Sequence, residues 1–418
     1  MLRPLIASIF ALGWLGAASA QTMPTDLPPL NLAPMVEVEG PPLPNGTAVS
    51  QPLQESLPDL PPGAIGHARG ALISGPIPRS WYSGEVLLWW SKPQSVPPLL
   101  TASRAGPPTL DGPNTVVLLG GGKTNPPNLT GGKFVLGWAL DPAQRTGMEI
   151  SYLFTGTQTS HDRVGPTRLN IGRPIVNPYT GGEDVVAVNT AAMPGIFQAW
   201  ASTRIQSWGI TGVANLYEGE NLKVNGLAGY RYFMVNEGLR FEQYSEFQGF
   251  DTFYRSRTAD QIDAHNRFHG GELGLRTELS HGAFSLQLDT KVSLGKTVEV
   301  VRISGQTVGV SDGPMGSTTQ WFPVGVYGQP SNAGRRTQSH FSALPEGALK
   351  LGYQLGQRAR FTVGYSVIYL GDAVRPGDQI DRVVDLGQLS TPSERPLPLF
   401  ERSDYWIQGV TLGLDWRY

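Results

Sequence analysis

The sequence predicts an all-β fold: an antiparallel transmembrane β-barrel of about ten strands, with twelve as the alternative, long extracellular loops and short periplasmic turns. Three observations carry that prediction. Apolar residues recur at every second position, the alternating segments run to about ten residues or more, and the connections between them are short at one end and long at the other.

The alternation is plainest in four places. Phe134, Leu136, Trp138 and Leu140 interleave with Lys133, Val135, Gly137, Ala139 and Asp141; Met148, Ile150, Tyr152 and Phe154 stand against Glu149, Ser151 and Leu153. Phe284, Leu286, Leu288, Thr290, Val292 and Leu294 alternate with Ser285, Gln287, Asp289, Lys291 and Ser293. The last segment sets Trp406, Val410, Leu412, Leu414, Trp416 and Tyr418 against Gly409, Thr411, Gly413, Asp415 and Arg417. Successive side chains of a strand point to opposite faces, so each segment has one apolar and one polar face. On a barrel the polar face lines the lumen. The lumen-facing candidates are Lys133, Glu149, Arg231, Glu272, Arg276, Asp289, Lys291, Glu346, Lys350, Arg360 and Asp415.

A soluble sandwich would alternate too, but its strands are typically five or six residues long, shorter than these, and membrane-crossing strands need about 9 to 11. The order of connections points the same way. Upward strands near 84–91, 146–155, 222–244, 283–304 and 358–371 lead into long excursions at 92–132, 156–194, 245–265, 305–338 and 372–402. Downward strands near 133–141, 195–217, 266–279, 339–354 and 403–418 are joined onward by short turns, among them Asp141-Pro142-Ala143-Gln144-Arg145 and Ser280-His281-Gly282. Two places leave the strand count open. The polar parity of Ile196–Tyr217 changes near Ser207–Gly209, as at a turn or a β-bulge, and Glu237-Gly238 reads as a kink or a turn. The final strand closes on Trp416 and Tyr418, an ending that resembles the signal by which outer-membrane barrels are inserted, so the barrel-assembly machinery and outer-membrane lipid are the expected partners.

Before the barrel, residues 1–20 read as a secretory signal peptide: Arg3, a short apolar run from Leu5 to Ala18, and Ala18-Ser19-Ala20 as the cleavage site. Residues 21–79 are Pro-rich and lack Phe, Trp and Tyr, the composition of a disordered leader, which leaves 80–418 as the barrel. With no cysteine there is no disulfide, thiol nucleophile or Cys-ligated metal, and a net charge of −2 gives no polycationic surface for nucleic acid.

Motifs that resemble chemistry fail on context. Gly120-Gly121-Gly122-Lys123-Thr124 lacks the leading Walker glycine, where Val117 stands, and Asn125-Pro126-Pro127 blocks the helix a phosphate would need. Gly309-Val310-Ser311-Asp312-Gly313 is followed by Pro314 rather than a helix. His265 and His269 would stand about 13 Å apart on one strand face, too far for one ion. Arg375-Pro376-Gly377-Asp378-Gln379-Ile380-Asp381-Arg382 reads as a salt-bridged turn capping the barrel, and Trp138 and Trp416 as part of an interfacial girdle. Neither a cofactor, a metal nor a catalytic residue is expected.

The ordered series Trp81, Glu85-Val86-Leu87-Leu88-Trp89-Trp90, Pro97-Pro98-Leu99-Leu100-Thr101, Leu118-Leu119-Gly120-Gly121, Gly137-Trp138-Ala139-Leu140-Asp141, Gly147-Met148-Glu149, Gly229-Tyr230-Arg231-Tyr232 with Glu237, Phe268 to Gly274, Gly364-Tyr365 and Arg375 to Arg382 resembles the family called putative beta-barrel porin-7. The resemblance spans 80–418, and the chain departs from it at Val213, where an acidic residue is usual. It implies a bacterial outer-membrane barrel of pore function with no catalytic residues. The expected function is therefore a porin passing small polar solutes without an enzymatic step. The alternative is a closed-lumen structural or surface-display barrel acting through its outer loops, because eight strands are just filled by side chains and ten leave little more room.

Overall fold

The computed structural model describes residues 79–124, 128–388 and 393–418; the segments expected to be a signal peptide (1–20) and a Pro-rich leader (21–79, all but its last residue) lie outside the described residues. Ten long strands form one closed antiparallel ring: β1 (Ser80–Ser91), β2 (Leu129–Ala139), β3 (Thr146–Thr155), β4 (Gly195–Glu218), β5 (Leu222–Gln248), β6 (Phe253–His281), β7 (Phe284–Gly313), β8 (Gly334–Gln354), β9 (Ala359–Val374) and β10 (Arg402–Arg417). Each pairs with its chain neighbours, and β10 closes on β1 with Trp81 opposite Arg417 and Trp89 opposite Gly409. Tyr418 N–H donates to the Ser80 carbonyl at 2.9 Å and Ser80 N–H to the Tyr418 carbonyl at 3.3 Å, so the chain's last residue belongs to the seam. The count is ten. β5 runs unbroken through Glu237 and Gly238, which face Thr203 and Ser202 on β4.

The excursions are shorter than the sequence suggests. The expected loop 245–265 is strand: β5 and β6 pair from Leu222–Leu279 as far as Gln248–Phe253, leaving four residues for the turn. The expected loop 305–338 likewise loses its first part to β7, which then pairs with a further strand, Gly316–Phe322. On the other side, Gln158–Val164 carries β3 upward against Phe197–Thr203 of β4. Alternation gives way there because the strands leave the membrane.

The apparent parity change near Ser207–Gly209 has the same cause. Pairing of β4 with β5 is regular through this stretch and shifts only between Asn215 and Tyr217, so there is no bulge and no turn. Instead the apolar face inverts. Below Ser207, Trp208 and Ile210 point outward and are exposed while Ser207 and Thr211 are buried inward; above it, Phe197, Ala199 and Ile205 are buried inside. A membrane strand needs apolar residues against lipid, and a strand beyond the membrane needs them against its own core. The inversion therefore marks the edge of the bilayer.

Below that edge the outer surface is an apolar belt. Val86, Leu88, Phe134, Leu136, Ile150, Leu273, Leu286, Leu288, Leu349, Leu351, Val363 and Leu414 are all exposed on it. Above, a buried apolar core joins inward residues of the strands (Phe241, Ile262, Val301) to residues folded in from the excursions (Leu100, Ile171, Val326, Tyr327, Val384).

Candidate functional site: a layered lumen

The interior has three layers. At the short-turn end a cavity of about 560 Å³ opens toward the periplasm. All the sequence-derived lumen candidates except Glu272 line it: Lys133, Glu149, Arg231, Arg276, Asp289, Lys291, Glu346, Lys350, Arg360 and Asp415. Glu272 lies beside it, accepting from Lys291 Nζ and Thr211 Oγ1, both at 3.0 Å.

The charged groups bridge the lumen. Arg231 on β5 donates to Glu346 on β8 at 2.8 Å, and Arg276 on β6 grips Glu149 on β3 with two bonds of 2.6 and 3.0 Å. Lys350 on β8 pairs with Glu85 on β1, and Arg360 on β9 with Glu278 on β6 as well as Asp415 on β10, the last at 2.8 Å. Arg276 also meets Asp289 at 3.2 Å. Four of these contacts join strands three places apart in the ring of ten, so they tie non-adjacent parts of the wall across the lumen. Lys133 lines the same space without an acidic partner within ion-pair distance among the described residues. Two residues here, Glu85 and Trp81, are missing from the candidate set. The signal for Glu85 lies in its parity with Leu87 and Trp89, hidden within an apolar run. Trp81 explains a sequence motif: its indole lies over Gly137 and Gly147, where a Cβ would approach to 2.1 and 2.8 Å. Its Nε1–H donates to Glu149 at 2.9 Å.

The second layer is apolar. Leu87, Trp89, Leu129, Leu153, Ile205, Phe233, Phe268, Leu344, Ile368, Tyr405 and Ile407 converge across the lumen and are nearly all fully buried. Apart from a few buried hydroxyls such as Ser207 and the bonded pair Thr297 and Ser342, the layer is hydrocarbon, so a polar solute entering the cavity below would meet a largely apolar disc.

The third layer is the outer core, fastened by two buried ion pairs. Arg375, where β9 leaves the wall, reaches Glu237 on β5, donating at 2.9 Å from Nε and 2.7 Å from Nη2. The same guanidinium donates to the carbonyls of Pro93 and Lys92 at 3.1 Å each. Asn266 on β6 exchanges two bonds with the Val374 backbone, 2.8 and 2.9 Å. The run Arg375–Arg382 thus acts as a crossbar; Pro376–Gln379 forms a 3₁₀ turn, and Gln379 Nε2 donates to the Glu401 carbonyl at 2.8 Å to tie the crossbar's far end. The sequence reading of a salt-bridged cap described its chemistry but not its depth. The second pair, Arg173 with Asp260 at 2.6 Å, is wholly buried. Arg173 also faces the rings of Tyr327, Phe197 and Phe241 at 4.5, 5.5 and 5.8 Å, and the Tyr327 and Gly328 N–H groups donate to Asp260 at 2.8 and 2.7 Å. Arg173 lies in a non-alternating excursion, so no periodic signal distinguishes it.

The remaining motifs lie in strands and turns. Gly120 and Gly121 hold positive φ in a turn, and Gly122–Thr124 pairs with Gln94–Val96 as strand. Ser311 lies within β7 opposite Tyr254, and Asp312 pairs with Arg255. His269 faces outward and bonds Tyr230 Oη at 2.7 Å. Among the described residues there is no group of His, Asp and Glu arranged to hold a metal.

A closed antiparallel ring with an apolar outer belt, a charged lumen and its first and last strands paired defines a bacterial outer-membrane β-barrel protein. The chain belongs to the family described as Putative beta barrel porin-7, whose model matches residues 81–418. Comparison with curated proteins finds no match. Among solved structures the chain is similar to a Pseudomonas aeruginosa FadL homologue (8% identity, 82% of this chain and 90% of that one, TM-score 0.22). It is also similar to the P. putida toluene transporter TodX (8%, 82% and 90%, 0.19) and to Pseudomonas putida OprB (10%, 85% and 97%, 0.16).

Proposed function

We propose that this barrel is plugged at rest and works as a structural or surface-display protein of the outer membrane through its outer face. The observation that carries this reading is the apolar disc beneath a crossbar bolted by Arg375–Glu237. Desolvating an ion in such a layer is costly, so a standing aqueous path is disfavoured. The reading is of a non-catalytic protein, exported by its N-terminal signal and inserted through the strand ending in Trp416 and Tyr418.

Passage of small polar solutes is the second reading. The charged periplasmic cavity favours it, and it requires the crossbar to move. A swelling assay on proteoliposomes separates the two. With the full chain, the plugged reading expects swelling in a small sugar no faster than in protein-free vesicles. Rapid swelling by the unaltered protein would favour the solute channel.

A further inference from the structure

The outer wall is not uniform around the ring. Moving up from the lipid belt, the first charged outward side chain on five successive strands is a cation: Arg204 on β4, Arg240 on β5, Arg267 on β6, Lys296 on β7 and Arg335 on β8. Arg302 follows on β7, directly opposite Arg335. On the far wall the corresponding charge on β10 is Asp404, held by Lys92 at 2.9 Å.

Arg240 is neutralised by Glu242, and Arg302 stands opposite the buried Asp263, but Arg267, Lys296, Arg302 and Arg335 have no acidic group within ion-pair distance among the described residues. Lys296, Arg302 and Arg335 are exposed, while Arg267 is half-buried with an Nε–H that finds no acceptor. Burial first, and then the nearby Arg267, Arg302 and Arg335, push His265 down to about 4. Just below lie Trp208, Tyr230 and Tyr232, rings in mutual contact at 5.3 and 5.9 Å from Trp208, the residue types that settle at a membrane interface.

We propose that this wall is a binding face for the phosphate groups of anionic lipid in the outer leaflet. The position fits, since Lys296 directly follows the exposed Leu294 on its strand face, Arg267 and Arg204 stand within a few residues of the belt, and Arg302 and Arg335 extend the charge upward; cations above an aromatic rim complement an anionic headgroup rather than a neutral one. The lipid would order around β6–β8 and leave the β10–β1 wall with ordinary lipid.

The test uses the full chain in detergent micelles doped with phosphatidylglycerol or phosphatidylcholine, with retained lipid counted by native mass spectrometry. Each cation near an anionic surface contributes roughly a fivefold preference, so the triple variant Arg267→Gln, Lys296→Gln, Arg335→Gln should lose roughly a hundredfold in preference for phosphatidylglycerol. The charge-preserving set Arg267→Lys, Lys296→Arg, Arg335→Lys should retain it. If the triple variant fails to fold, by the heat-dependent gel shift of folded barrels, Arg335→Gln alone should still lose roughly fivefold. Wild-type preference in a folded Gln variant would overturn the proposal. So would full displacement of the lipid by inorganic phosphate, which would make the face a site for soluble anions.

Discussion

The two ends of the lumen are built from similar charged pairs, yet their surroundings differ. In the periplasmic half, Arg360 and Asp415 border a cavity of about 560 Å³ that opens to water. In the outer half, Arg375 and Glu237 are almost completely buried and Arg173 and Asp260 wholly so. A hydrated pair is worth little and its loss is tolerated, whereas removing one partner of a buried pair strands the other charge in a low dielectric. Identical chemistry thus braces a wall in one half and locks a plug in the other.

The sharpest way to break that contrast is to remove one charge from each half. Arg375→Ala should cost about 3–5 kcal/mol, because Glu237 and the Lys92 and Pro93 carbonyls lose their donor together. Asp415→Asn should cost about 1 kcal/mol or less, since Arg360 borders the cavity and keeps Glu278 as its partner. Urea unfolding of both variants in the same micelle reads the difference, and equal losses would erase the distinction between the halves. Next comes packing. Phe241→Ala should cost about 3–4 kcal/mol through the cavity left among Phe197, Tyr327 and Arg173, while Leu286→Ala on the lipid face should cost far less.

A smaller effect belongs to Gly137. An alanine there must displace the Trp81 indole, at about 1–3 kcal/mol, and break its bond to Glu149. A shift in tryptophan emission toward that of exposed indole would mark the displacement, and unchanged emission would mean that the lower wall can give.

The smallest effect is a pair of opposed pH dependences above the lipid belt. Burial raises Asp263 from 3.8 to about 6, so the folded state holds its proton more tightly and stability falls as pH rises through that interval. Burial and its cationic neighbours lower His265 from 6.5 to about 4, so its contribution rises with pH over nearly the same range. In the intact protein the two slopes offset each other. His265→Gln should expose the Asp263 slope, seen as an unfolding midpoint that falls between pH about 4 and about 6. A flat profile in that variant would refute the assignment.

Much of the fold is legible in the alternation because lipid enforces it. Phe284 to Leu294 can be read as a strand from spacing alone, and the short turns set the direction of each neighbour. Legibility ends at the bilayer edge. Above it the same strands turn their apolar face inward, so 245–265 looks like loop and Ser207–Gly209 looks like a bulge, although the backbone pairing is regular in both. The cavity-lining charges follow from parity, since a polar residue on a lipid-crossing strand has one side available to it. The plug does not follow, because Glu237 and Arg375 stand 138 residues apart and only the closed ring brings them together.

The central claim is that packed outer layers, and not barrel width, close the lumen. Single-molecule conductance in planar bilayers tests it directly, comparing the full chain with Glu237→Ala/Arg375→Ala, which frees the crossbar without leaving a buried charge. The account predicts a silent wild type and brief, irregular openings in the double variant. Regular conductance steps from the unaltered protein would contradict it.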